Sequence, residues 1–324
     1  MSASTIDCSP FREELAELAS ALPGVPRADL DVFFQESVRL AERLPSELRD
    51  RVDEFNDNGN VDGYLLLRGL PVEPDEDLPA TPTASPPPQD RPLLSMEAML
   101  CLIGSQLGLL TAYDQGYGNR RSITVLHELY PTPEAHHLSG GTSTIQLEFH
   151  TDLSHHAHQP NYILLSCSRG DHEGKAATLV GSIRKALPLL SPEVRSHLFD
   201  RVFTRQFDAA DPGATANVKP LYGDPDDPFV SFNRSFLTAE TEEDVAALDA
   251  LSAALTAVTE PVLLTRGDLL VIDNFRIAHG RAPFSARWDG RDRWLHRAYV
   301  RTKRNGQFEG GERPGAIIPF IPRR

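Results

Sequence analysis

Apolar positions recur every three or four residues in the first part of the chain. Leu15, Leu18 and Leu22 mark a helix over 10–22, and Leu40, Leu44, Leu48, Val52 and Phe55 mark helical structure over 26–56. The turn formers Asn56-Asp57-Asn58-Gly59-Asn60 end that pattern, and Tyr64-Leu65-Leu66-Leu67-Arg68 reads as a strand. Residues 71–92 are rich in proline and acidic side chains, which predicts an exposed extended loop within one folded unit. An apolar helix follows over 95–109. From 110 onward the pattern changes to short strands broken by Gly, Pro, Asn and Asp, with helices at about 183–200 and 239–259. Strands at this spacing without βαβ alternation predict an antiparallel barrel or jelly roll. The chain is expected to be a single domain over 1–324, mostly β with added helices. Residues 1–109 would give helical support and the proline-rich loop, and 110–324 the jelly-roll core.

Charge narrows the partners. Lys+Arg 32 against Asp+Glu 46 leaves a net charge of −14, a field that repels phosphate backbones and anionic lipid, so neither nucleic acid nor membrane is expected as a partner. Cys8, Cys101 and Cys167 are widely spaced and form no C-x-x-C pair, which disfavours a disulfide framework and fits a cytoplasmic protein. No apolar run reaches membrane-spanning length.

Three segments carry chemistry. In Ile145-Gln146-Leu147-Glu148-Phe149-His150-Thr151-Asp152 apolar and polar residues alternate, so a strand would point His150 and Asp152 to one side, roughly 6–7 Å apart at the backbone. Both could reach one metal ion, and a hydrogen-bonded surface pair is the plainer alternative. The second segment, Gly267 to Arg281, leads through a buried apolar strand to a polar turn carrying His279. His150, Asp152 and His279 together would make the two-histidine, one-carboxylate set that suits non-haem Fe(II), because it leaves coordination positions open for dioxygen. In the third segment, Arg293, Leu295, Arg297 and Tyr299 share one face of a strand. Their planar guanidinium forks could hold one or two substrate carboxylates. The run His155-His156-Ala157-His158 has offsets that would also permit zinc.

With LEFHTD at 147–152, PNYILLSCSRGD at 160–171, KAATLVGS at 175–182, GDLLVIDNFRIAHGR at 267–281 and DGRDRWLHRAYV at 289–300, the chain resembles the Fe(II)/2-oxoglutarate-dependent oxygenases. Within them it is similar to the clavaminate synthase-like group, which includes asparagine oxygenase and the arginine and lysine hydroxylases. The resemblance covers about 110–302. It implies a double-stranded β-helix core, iron held by His150, Asp152 and His279, and the distal carboxylate of 2-oxoglutarate bound by Arg293 with help from Thr178. It also implies that Arg297 holds the carboxylate of an amino-acid substrate and that dioxygen is the oxidant. Many close relatives carry Glu where this chain has Asp152; a carboxylate there argues for oxygenation over halogenation.

Substrate clues follow from departures. The basic-amino-acid hydroxylases of the group carry an Asp-x-Asp pair where this chain has Asn233 and Ser235, so a neutral polar side chain of citrulline, asparagine or glutamine type is expected. His127, Gln146 and His156 are further pocket candidates. Carrier-tethered or basic amino acids, desaturation or cyclisation on the same iron, a zinc hydrolase and a small-carboxylate binding module stay open as alternatives.

Overall fold

The computed structural model describes residues 4–22, 24, 30–83, 91–113, 125–133, 143–208, 211–302 and 317–318. Helix α1 spans Arg12–Ala21. The helical pattern over 26–56 becomes two helices, α2 (Leu30–Ala41) and α3 (Ser46–Asn58), with 26–29 outside the described residues. Pro45 separates them, because its ring disfavours helical backbone at the residue before it while suiting a helix start. Gly59 ends α3 at φ +61°, a left-handed position where a side chain would be strained. Helix α4 (Ser95–Leu107) is pinned at its start by the Glu97 carboxylate, which accepts from the Leu94 N–H at 2.9 Å. Later helices are α5 (Ile183–Ala186), α6 (Pro192–Asp200) and α7 (Glu242–Ala257), the last opened by a Thr241/Asp244 capping box.

The strands are β1 (Thr5–Asp7), β2 (Tyr64–Arg68), β3 (Leu109–Tyr113), β4 (His127–Leu129), β5 (Leu147–His150), β6 (Tyr162–Arg169) and β7 (Thr178–Ser182). They continue with β8 (Phe203–Asp208), β9 (Asp211–Val218), β10 (Leu221–Asp224), β11 (Asp227–Val230), β12 (Leu237–Thr238) and β13 (Glu260–Val262). The last four are β14 (Leu269–Asp273), β15 (Ile277–Arg281), β16 (Trp294–Arg301) and β17 (Ile317–Ile318). A large sheet runs β1-β2-β14-β6-β16-β3-β17, with β4 also paired to β16; a small sheet runs β13-β7-β15-β5. The N-terminal part is thus more than helical support, since β1 and β2 form one side of the large sheet.

Side-chain alternation with period two sorts the core into layers. On β6 and β14, Tyr162, Leu164, Leu269 and Val271 pack outward against Leu48, Val52, Met99 and Leu102 of α3 and α4. Their neighbours Ile163, Leu165, Leu270 and Ile272 face inward, onto Val180, Val262 and Ile277 of the small sheet. The small sheet's other face carries Phe149 and Ala278 onto Ile183, Leu248 and Leu251. The result is helices, large sheet, small sheet, helices. A Leu-to-Ala change in either sheet interior would cost about 2–5 kcal/mol.

The proline-rich stretch departs from expectation. Its described part, 71–83 and 91–92, has no helix or strand, as proline predicts, yet Leu78 and Thr81 are buried. Leu78 packs with Leu94, Tyr130 and Trp294, so apolar burial overrides the polar composition of the segment.

Candidate metal centre

Strand β5 ends at His150, and β15 lies antiparallel beside it so that His279 sits directly opposite, the two rings 4.3 Å apart at their centroids. His279 therefore lies on a strand, correcting the expectation of a turn; the turn comes earlier, before Ile277. Gly280 permits this closeness: a Cβ there would stand 2.5 Å from the Leu147 carbonyl oxygen. Asp152 lies beyond β5, correcting a strand that ran through it. The Thr151 N–H donates to the Phe232 carbonyl at 2.8 Å, and Leu153 turns the chain at φ +51°. Asn274, fully buried, fixes that turn by accepting from the Asp152 N–H at 3.0 Å and donating to the Asp152 and Pro160 carbonyls at 2.8 and 3.0 Å. One ligand atom each from His150, Asp152 and His279 falls within a 4.8 Å cluster, and no second His/Cys/Asp/Glu group has such spacing among the described residues. The zinc reading of 155–158 thus has no cluster behind it.

The donor set suits a divalent cation. His150 Nδ1 lies 2.9 Å from the Glu148 carbonyl, which fixes the proton there and leaves Nε2, 3.3 Å from Asp152 Oδ1, as a lone-pair donor. Two acceptors facing one another in a buried site call for a cation between them. Asp152 Oδ2 accepts from the Tyr299 hydroxyl at 2.8 Å and from Arg297 Nη1 at 3.0 Å. Burial opposes ionisation of Asp152, but the Arg297 guanidinium holds its carboxyl well below the usual carboxylate range. His279 is pushed down to about 3, chiefly by burial, so its ring is neutral near pH 7. Its Nδ1 is buried with no hydrogen-bond partner among the described residues. Two imidazoles and one carboxylate with open positions match non-haem Fe(II).

A second feature is a buried cationic pocket. Arg293 is 8% exposed and has no ion pair among the described residues. Its guanidinium and that of Arg281 both lie over the Phe284 ring, at 5.8 and 5.0 Å from the centroid. Burial lowers both arginines' pKa values, Arg281 to about 10 with Arg293 contributing. Buried Thr178 pairs with Arg281 across β7 and β15, and buried Cys167 is close enough to Arg293 to interact with its charge. Arg297 lies farther along β16; its Nε is buried with no hydrogen-bond partner among the described residues.

Of the other predicted residues, His127 pairs with Arg297 across β4 and β16 and lies 5.5 Å from the Tyr299 ring. Buried His156 packs edge-on against Tyr113, which packs on Tyr299. Asn233 forms a backbone bridge with His150, and Ser235 donates to the Glu148 carboxylate. Gln146 is exposed, before β5. Sequence reasoning assigned no role to Asn274, Arg281 or Tyr299. Tyr299 could have been found from its place on the Arg293/Arg297 face; Asn274 had no local signal.

The profile described as "Taurine catabolism dioxygenase TauD, TfdA family" matches residues 30–299. The chain is 56% identical to clavaminate synthase 2 of Streptomyces clavuligerus over 330 residues, covering 100% of both chains. Its structure is similar to that of asparagine oxygenase in complex with Fe(II), 2S,3S-3-hydroxyasparagine and succinate. That match has TM-score 0.82 and 27% identity and covers 92% of this chain and 93% of that one. It is also similar to the non-heme iron oxygenase OrfP in complex with Fe and alpha-ketoglutaric acid, with TM-score 0.77, 25% identity, and 97% and 99% covered.

Proposed function

Since the chain belongs to the TauD/TfdA dioxygenase family, we propose that it hydroxylates an unactivated C–H bond of a free L-amino acid. The enzyme is an Fe(II)/2-oxoglutarate-dependent dioxygenase with a jelly-roll core. With Fe(II) bound, 2-oxoglutarate and dioxygen supply the oxidation, one oxygen atom leaving in succinate and the other entering the substrate. The observation that carries the reading is the pair of arginines at the start and inner face of β16: Arg293, just before the strand, buried without an ion pair among the described residues, and Arg297 bonded to Asp152 with Nε still free to donate.

His150, Asp152 and His279 hold the metal. Tyr299 and Arg297 occupy Asp152 Oδ2 and leave Oδ1 on the His150 side, and Asn274 holds the ligand's own peptide. Arg293, with Thr178, takes the distal carboxylate of 2-oxoglutarate; a buried guanidinium gains most from a bidentate carboxylate, which restores the solvation lost on burial. Arg297 Nε takes the amino acid's carboxylate. Asn233 and Ser235 meet the side chain, with His127, His156 and Gln146 around it, and their amide and hydroxyl groups favour a neutral polar substrate.

One observation favours a basic side chain instead. Ser235 donates to Glu148, so an exposed carboxylate stands two residues before His150. It would pair with a guanidinium or ammonium.

The test incubates the protein with Fe(II), 2-oxoglutarate, ascorbate and citrulline, asparagine, glutamine or arginine, measuring succinate and substrate mass. A gain of one oxygen that requires 2-oxoglutarate, absent in Asp152→Ala, is the expected result. Citrulline over arginine supports the neutral reading, and the reverse supports Glu148 as counter-charge. Succinate without any modified free amino acid would overturn the free-substrate reading and point to a carrier-tethered one.

A further inference from the structure

The proline-rich segment and the turn before β16 are laced together by buried polar groups. The Thr81 N–H donates to the Gly290 carbonyl at 2.7 Å, and the Thr81 hydroxyl donates to the Asp292 carbonyl at 2.7 Å. Arg169, at the end of β6, donates from Nη1 to the Thr81 hydroxyl at 2.6 Å and to the Gly290 carbonyl at 3.2 Å; it also reaches the Pro79 carbonyl, at 3.3 Å from Nη2. Thr81 and Asp292 are both buried. The Asp292 carboxylate closes the turn by accepting from the N–H groups of Arg287 and Trp288 at 2.7 and 2.8 Å. Gly290 stands at φ +78°, and a Cβ there would lie 3.1 Å from that of Ala80. Arg291 pairs with Asp75 at the surface, and Leu78 packs on Trp294.

These contacts hold the turn from Gly290 to Asp292 on one side of Arg293 and Trp294 on the other. We infer that residues 75–81 are a positioning clamp for Arg293, with Thr81 as its keystone and Arg169 tying it to the large sheet. The clamp sets 2-oxoglutarate affinity from a segment that touches no ligand. The inference rests on the assignment of Arg293 to the distal carboxylate. Its physical basis is that a long side chain reaches a bidentate geometry reproducibly only when its own backbone is fixed. The Asp292 carbonyl adjoins the Arg293 peptide, and the Thr81 hydroxyl is what holds it.

The experiment titrates 2-oxoglutarate by calorimetry into the anaerobic Fe(II) enzyme, using wild type, Thr81→Val, Thr81→Ser and Arg293→Gln, and repeats each titration with the amino-acid substrate at saturating 2-oxoglutarate. Thr81→Val keeps the shape and loses the hydroxyl. It should weaken 2-oxoglutarate binding roughly tenfold, the worth of a hydrogen bond at a charged site, while amino-acid binding holds. Thr81→Ser should restore wild-type affinity. Equal 2-oxoglutarate affinity in Thr81→Val and wild type, with Arg293→Gln weakened, overturns the clamp and keeps the Arg293 assignment. Parallel loss of both ligands in Thr81→Val also overturns it, in favour of a purely structural role. An Arg293→Gln enzyme that binds 2-oxoglutarate normally overturns the underlying assignment itself.

Discussion

The two faces of β16 hold similar chemistry in opposite states. On the outer face, His296 is fully buried with Nδ1 3.1 Å from Glu97 and Nε2 2.8 Å from the Ser168 hydroxyl. Arg91 donates to Glu97 at 2.6 and 2.7 Å and to Glu128 at 2.9 Å, and the Trp294 indole donates to Glu128 at 3.1 Å. Each charge there meets an opposite charge. The inner face gives Arg297 one carboxylate, and Arg293, just before the strand, has none among the described residues. One strand thus carries a finished ion network and an unfinished one. A finished network holds structure, and an unfinished one awaits ligands, because a desolvated charge kept without a partner costs stability that only a bound counter-ion returns.

Glu97→Gln should produce the largest effect on that contrast. It leaves fully buried His296, and half-buried Arg91, without their shared carboxylate and should cost about 3–5 kcal/mol, read as a lowered thermal midpoint. Unchanged 2-oxoglutarate affinity in the surviving folded enzyme would keep the faces independent, and lost affinity would join them. Burial opposes ionisation of Glu97, but His296 and Arg91 more than offset it and hold its carboxyl far below the ordinary value of 4.5. A depressed folded pKa means the stabilisation is present in full above about 4.5 and fades as pH falls below it. The gap between wild type and variant should therefore close on acidification, and a gap that is flat with pH would refute the assignment.

Tyr299→Phe comes next. Losing one hydrogen bond to Asp152 Oδ2 should weaken Fe(II) binding about 10–100-fold in an anaerobic chelator competition, with 2-oxoglutarate binding to iron-saturated enzyme retained. Iron affinity equal to wild type would show that Arg297 alone orients the ligand. The smallest expected effect is at Cys167, whose thiol burial pushes up to about 12. The folded enzyme at pH 8 should resist alkylation there, and rapid labelling would mean that the Arg293 pocket opens to solvent.

Legibility from sequence followed distance along the chain. The faces of β6, β14 and β16 were readable because alternation is local, and the candidate ligand residues stood out as His and Asp bordering apolar strands. The detailed path of the ligand segment was not readable. Strand alternation carried His150 into Asp152, whereas the link is a turn held by Asn274, 122 positions away. The clamp was hidden for the same reason: proline and acidic composition predict an irregular backbone but cannot show that Thr81 meets Asp292 across 211 positions. Arg281 read as part of a motif, and only the shared Phe284 ring revealed its proximity to Arg293.

The facing of His150 and His279 across paired strands has an evolutionary consequence. Inserting one residue into β15 ahead of His279 would turn its ring to the opposite face, where Ala278 now packs, and would break up the candidate ion site at once. Length variation in descendants of this chain should therefore gather in the loops and spare the few residues between Ile277 and His279. The small sheet can change its residues but not its count.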